Sequence, residues 1–419
     1  MLRRPLAGVA AFVLLATSWL GAPLAHADPI DTSSQKEVAK AYTSQLVPAL
    51  KVKPSWSGDV DKCRTGKPSS QPGAAVGSES TSARAATFAA VNYYRAMAGL
   101  KPVKENADSS ARARQAALIM RANDDLSHTP GPSWTCYSAK GADAAGRSNI
   151  AISWGSSAGA GARSIQLYMD DRGSHNVEVG HRRWILNPEA SAFGTGSTDR
   201  SNALLVVSGA TDNANPRPKG GTAWPSAGFF PWETMPTSRR WSYALPALRG
   251  YDASLFDTAK VTVTLRGTKL KTRIVARGGY AGDPALVWET PKLSKPKAGA
   301  TDVYTVTISG VKGRSKAITY KVKVFEARLP YPVASPKPTI SGTAKVGKKL
   351  TAKAGTWKPG GTKLTYQWYR GSTKIVGATK STYTLRRADK GKVITVKVKG
   401  TKKGYLTVTK TSAETAKVR

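Results

Sequence analysis

Carboxylates are scarce in this chain of 419 residues: 26 Asp and Glu stand against 64 Lys and Arg, a formal net charge of +38. A field of that sign attracts polyanions without specifying which. Cysteine is scarcer still, with only Cys63 and Cys136. In an oxidising exterior two thiols most simply pair with each other, which would pin the N-terminal region to the loop after His128. Two free buried thiols are the alternative, disfavoured by the polar, turn-rich sequence around both. Histidine occurs four times, so imidazole chemistry rests on a handful of positions. After the first residues no segment is apolar and long enough to span a bilayer. The chain also lacks the repeated strand–helix units of a parallel α/β sheet.

The one long apolar run, Leu6 to Leu24, follows Arg3 and Arg4 and precedes Ala25-His26-Ala27, a small-x-small cleavage pattern before Asp28. Residues 1–27 therefore read as a signal peptide, with an uncleaved anchor as the competing reading. Pro5, Gly21 and Pro23 flank or interrupt the run and favour cleavage. The mature protein is expected to be secreted or attached to the cell wall, with no transmembrane segment. Its length suits two to four domains. From Lys337 to Arg419, 17 Lys and 4 Arg face only Asp389 and Glu414, so half of the excess charge sits in the last fifth. Export argues against nucleic acid as the partner and for an anionic cell-wall polymer or surface glycan. Lysines guarding strand edges are the bland alternative.

What is there divides along the chain. Ser33 to Leu50 has helical spacing, and residues 51–80 form a linker rich in Pro, Gly and Ser. Ala83 to Ala98 places Phe88, Val91, Tyr94 and Met97 on one stripe, ended by Gly99. A helix over Ala107 to Arg121 follows, then His128 in a turn-rich loop, a short extended piece from Ser148 to Trp154, a helix over Ala162 to Asp171, and an apolar strand over Ala203 to Ser208. From about residue 210 the pattern becomes β, with runs at 260–265, 272–276, 285–289, 303–309 and 318–325 that suggest a sandwich. A Pro-rich hinge at 329–338 leads to a last small sandwich with Trp357 and Trp368 in its core. In its 392–399 run, Ile394, Val396 and Val398 face one side and lysines the other. The expected units are residues 28–80, 81–210, 211–328 and 339–419.

The densest chemistry lies in Tyr168 to Pro188, YMDDRGSHNVEVGHRRWILNP, where Asp170, Asp171, His175, Glu178 and His181 stand beside Gly173, Gly180, Trp184 and Pro188. His175 and Glu178 would be neighbours on a helix, but the two glycines favour an irregular loop and make them bystanders. Arg182 and Arg183 read as a surface or salt-bridged pair. Trp134, Trp154 and Trp184 read as core or cleft wall. Gly155 to Gly159 matches G-x-S-x-G, with Asp171 and His181 following in hydrolase order, but the surrounding chain lacks the sheet that motif requires.

In order and spacing these elements resemble the CAP superfamily of secreted proteins (cysteine-rich secretory, antigen 5 and pathogenesis-related), in its bacterial form. The resemblance covers about Thr81 to Gly209. It rests on FAAVNYYRAMAGLKPV with Asn92 and Arg95, on LSH ending at His128, on RSNIA at 147–151 and on GHRRWILNP from Gly180. It implies an α+β fold, a three-layer α-β-α sandwich, here followed by two all-β sandwich modules, the last similar to the immunoglobulin-like repeats of surface proteins. It also implies a cleft of two histidines and two acids. The histidines fall on His128 and His181; Ser148 occupies the first acid position, and Asp171, less surely Asp170, the second. Losing one acid weakens a general acid–base proposal and leaves a paired-histidine Zn²⁺ site, completed by a carboxylate and water. The reading is a binding module for a lipid or other apolar ligand, or for a partner surface, displayed by β-sandwich modules, rather than an enzyme. A metal-dependent peptidase using the same cleft is the alternative. Asn92 and Arg95 read as structural.

Overall fold

A computed structural model describes residues 29–64, 73–154, 159–207, 220–246, 253–279, 283–297, 299–327, 335–358, 360–402 and 407–419. The expected signal peptide, the residue-210 boundary, most of the hinge and four residues of the G-x-S-x-G match lie outside them. Helix α1 (Gln35–Ala41) runs through a π turn (Tyr42–Leu46) into α2 (Val47–Lys51), so the single helical run expected there carries an insertion ahead of Pro48. Helix α3 (Thr81–Met97) is capped by the Ser80 side chain, and Asn106 caps α4 (Ala107–Asn123) in the same way. Helices α5 (Ala139–Gly146), α6 (Ala162–Asp170) and α7 (Gly180–Ile185) follow, and single helical turns occur at Asp61–Arg64 and Gly73–Val76.

Strands β1 (Lys104–Glu105), β2 (Ser148–Ile152), β3 (Ala192–Ser197) and β4 (Ser201–Leu205) form a sheet in the order β1-β3-β4-β2. The period-two alternation of a strand sorts its side chains into two cores. Ala151, Phe193 and Leu204 pack with Val91, Tyr94, Ile165 and Tyr168 from α3 and α6. Ile150, Ala203 and Leu205 pack with Ala113, Ala117, Met120 and Ala144 from α4 and α5. Helices on both faces make this an α-β-α sandwich.

Next come β5 (Thr222–Trp224), β6 (Gly228–Pro231), β7 (Arg240–Ala244), β8 (Lys260–Leu265), β9 (Thr268–Lys269), β10 (Arg273–Gly278), β11 (Ala285–Glu289), β12 (Thr301–Ser309) and β13 (Ile318–Phe325). They form two sheets, β10-β11-β7-β5 and β6-β13-β12-β8-β9. This unit shares a core with the helices before it. Tyr42, Tyr93, Tyr94, Trp224 and Phe230 make a continuous string of edge-on aromatic pairs with centroids 4.9 to 6.3 Å apart. The N-terminal segment is stitched into the seam: Ile30 N donates to Ala96 O at 3.1 Å and Phe229 N to Thr32 O at 2.6 Å.

The last unit has β14 (Thr339–Ser341), β15 (Lys349–Lys353), β16 (Lys363–Arg370), β17 (Thr373–Lys374), β18 (Thr382–Thr384), β19 (Ile394–Thr401) and β20 (Val408–Thr411), arranged as β14-β15-β18 and β17-β16-β19-β20. The two sheets enclose a separate core holding Trp357, Trp368, Ile394, Val396 and Val398, as the alternation of those residues requires. Cys63 and Cys136 are joined in a disulfide across 73 positions.

Candidate functional site

Helix α6 ends at Asp171, which adopts the left-handed conformation (φ 53°, ψ 53°), one that Asp and Asn tolerate better than most residues. That turn sends the chain through Gly173 (φ 96°) and a 3-10 turn at Ser174–Asn176. A second left-handed residue, Val179 (φ 50°), opens α7. A β-branched side chain is costly there. It is fully buried, and Arg183 N donates to its carbonyl.

Folded this way, the loop sets the Asp171 carboxylate against His181. The His181 Nδ1–H donates to Asp171 Oδ1 at 2.6 Å, and Arg182 N donates to the other oxygen at 3.0 Å. Asp171 is wholly buried, whereas the His181 side chain keeps 22 % exposure. The Tyr168 ring stacks on the imidazole at 5.5 Å, and its hydroxyl is held by Asn149 O and by Asn202. Burial pushes the Tyr168 phenol well up, against a weaker hydrogen-bond effect from Ser164, so this ring serves as a neutral wall. The Asn149 amide donates to His181 O at 3.0 Å. Tyr168, Asn149 and Asn202 are the partners that residue-by-residue reading misses; the Asn following Ser148 in RSNIA is the only signal for them.

His128 is exposed, and its Nδ1 lies 2.9 Å from Ala145 O. A carbonyl only accepts, so that nitrogen carries the proton. Both imidazoles are therefore fixed through Nδ1, one by a carboxylate and one by a carbonyl, leaving Nε2 as the outward nitrogen of each. The groups that hold the two rings, Ala145 and Asp171, stand at the C-terminal ends of α5 and α6. Ser148 is buried and donates to Ala144 O at 2.7 Å. Its hydroxyl closes the end of α5 and takes no part in the arrangement of the rings.

The remaining residues of the stretch divide as follows. His175 is exposed on the 3-10 turn; Glu178 is half-buried, with Oε2 lacking a partner among the described residues. Asp170 points away, toward the β unit. It accepts from Thr237 and from Ser238 N; burial raises its carboxyl, but these bonds and Arg172 hold it below the ordinary range. Arg182 and Arg183 form no surface pair, because both are buried. Arg182 donates to Met169 O at 2.8 Å and Arg240 O at 2.9 Å, and burial brings its guanidinium down to about 10. Arg240, from β7, returns the contact by donating to the carbonyls of Asp171, Gly173 and Asn176. The β unit thus holds the loop that carries Asp171. Trp154, read as core or cleft wall, is 66 % exposed beyond β2. Asn92 and Arg95 are structural: Asn92 exchanges two bonds with the Val103 backbone, and Arg95, fully buried, donates to the carbonyls of Lys101, Ile185, Asn187 and Ala190.

The donor set suits Zn²⁺ at a low ligand count. Ring nitrogens whose other N–H is held by an acceptor are the usual form of metal-binding histidine. Asp171 lies behind His181, on its Nδ1, and is an orienting group rather than the coordinating carboxylate expected from sequence. Among the described residues no three His, Cys, Asp or Glu side chains stand close enough to share an ion.

The helical part is thus a three-layer α-β-α sandwich that carries an Asp-oriented histidine and is continued by β units. Residues 88–207 match the family model described as CAP, the cysteine-rich secretory protein family; this part of the chain is a CAP domain. No curated protein matches the chain. Solved structures similar to part of it include tandem Ig repeats of Dlar (15 % identity, 42 % of this chain and 85 % of that one, TM-score 0.14). Sidekick-1 immunoglobulin domains 1–4 are another (14 % identity, 42 % and 44 %, TM-score 0.22). A third is the CupB2 chaperone of Pseudomonas aeruginosa (10 % identity, 46 % and 99 %, TM-score 0.16). At such scores these likenesses carry no argument.

Proposed function

We propose that the CAP domain works as a binding module whose cleft takes Zn²⁺ exchangeably through His128 Nε2 and His181 Nε2, water completing the shell. Bound there, the ion would supply a Lewis-acidic point for a polar group of the ligand. The ligand itself is a lipid or other apolar molecule, or a partner surface, as in the family. What carries the reading is the shared state of the two rings, each with Nδ1 committed to an acceptor. His181 is further fixed by Tyr168 and by the buried Asp171, which limit its rotation.

Titration of zinc into the metal-free protein, followed by calorimetry and by the histidine NMR signals, tests this. Wild type should bind one weak equivalent, His181→Ala should lose it, and Asp171→Asn should weaken it by about 10- to 100-fold. Unperturbed His128 and His181 signals at saturating zinc would sink the proposal. A metal-dependent peptidase is the second reading, favoured by the Asp171–His181 pair, an arrangement that also orients a general base. Zinc-dependent peptide turnover that disappears in His181→Ala would establish it over binding alone.

A further inference from the structure

The outer face of the β17-β16-β19-β20 sheet is free of negative charge. Strand register places Lys374 beside Tyr369, Lys397 opposite Thr411, Lys399 between Thr365 and Thr409, and Lys363 opposite Thr401. All four lysines are exposed, and among the described residues none pairs with a carboxylate. Of the unit's two acids, Asp389 is fully buried. It is bound by Arg370 at 2.6 Å, by the Tyr383 hydroxyl at 2.8 Å and by Arg386 N at 2.7 Å. Glu414 alone stays exposed. Edge protection does not explain Lys397 and Lys399, because both lie in β19 with paired strands on either side, where no edge needs guarding.

We propose that this face binds an extended anionic polysaccharide. The four lysines span about 20 Å along the sheet, at the spacing of alternate residues on a strand. The Thr365, Thr409 and Thr411 hydroxyls between them offer neutral hydrogen bonds to sugar hydroxyls. Two features disfavour a nucleic acid. Lys397 Nζ already covers the face of Tyr369 at 4.5 Å from the ring centre, so the one aromatic ring among the described residues of this face is not an open stacking platform. The unit's arginines, the forked phosphate binders, lie off this face. The inference is independent of the reading of the CAP cleft and fails or stands separately from it.

The test is binding of the full chain to immobilised polygalacturonate over a salt series. A variant with Lys363, Lys374, Lys397 and Lys399 all changed to Thr is compared with one carrying the same change at Lys345, Lys348, Lys349 and Lys353, which lie on and beside the other sheet. Binding should fall as salt rises. The face variant should lose about tenfold or more and the control under about threefold, both keeping the wild-type circular dichroism. If the fourfold variant fails to fold, Lys397→Glu with Lys399→Glu should give the same loss. No binding at low salt, or equal losses in the two variants, overturns the proposal. Tighter, equally face-dependent binding of single-stranded DNA reassigns the face to nucleic acid and also overturns it.

Discussion

Glu79 is the residue whose environment most contradicts its chemistry. It is 3 % exposed; one oxygen accepts from Ser197 N at 3.1 Å, while Oε1 is buried without a partner among the described residues. Burial drives its carboxyl up to about 7, and Ser197, Arg84 and Arg114 only partly oppose the rise. Because the folded value lies above the unfolded one of 4.5, Glu79 favours folding fully below about pH 4.5 and loses that contribution as pH rises toward 7. The shift corresponds to roughly 3 kcal/mol. Glu79→Gln should therefore stabilise the protein at pH 8 by up to roughly 3 kcal/mol and change little at pH 4 in urea unfolding. An equal effect at both values would show that the buried charge is not the cause. At this scale sequence informs unevenly. His128 and His181 stand out through LSH and GHRRW, but the place of Asp171 behind the ring depends on a left-handed turn that no spacing announces. Arg182 shows the same limit, since paired arginines beside a histidine look exposed until the buried carbonyls of Met169 and Arg240 are found around it.

Among elements, β7 does the least expected work. Its Arg240 secures three carbonyls of the loop between α6 and α7, so the CAP loop is set from outside the CAP domain. Arg240→Ala would leave those acceptors buried and unmet. That should cost about 3 kcal/mol and speed amide exchange across residues 171–179; unchanged exchange there would show that the loop holds itself. The strands themselves were legible: the runs at 260–265, 285–289 and 318–325 match β8, β11 and β13 because short runs rich in β-branched and aromatic residues, bounded by turn residues, mark a pleated ribbon. Which face meets which helix was not. Trp224 carries no mark that Tyr94 is its partner, because periodicity gives a side chain's direction but not what lies beyond it. Trp154, likewise, advertises burial by its type and lies exposed.

Among the described residues the cores fall into two groups: one, with the smaller α4–α5 core beside it, joins the N-terminal helices, the CAP sandwich and the first β unit, and the other belongs to residues 339–419 alone. Calorimetry should resolve two transitions, and a chain ending at residue 335 should keep the first at its original temperature. One merged transition, or a shift of more than a few degrees on truncation, would reveal coupling between the cores. The stitching of Ile30 and Thr32 to Ala96 and Phe229 also has a bearing on the order of assembly. A chain made from its N-terminus presents α1 and α2 long before β6 exists. For some two hundred residues of synthesis the inner side of Val38, Tyr42 and Leu46 has only α3 to lean on. That early-made segment is thus among the last to be locked, and until β6 arrives its apolar side lacks the cover that this strand provides.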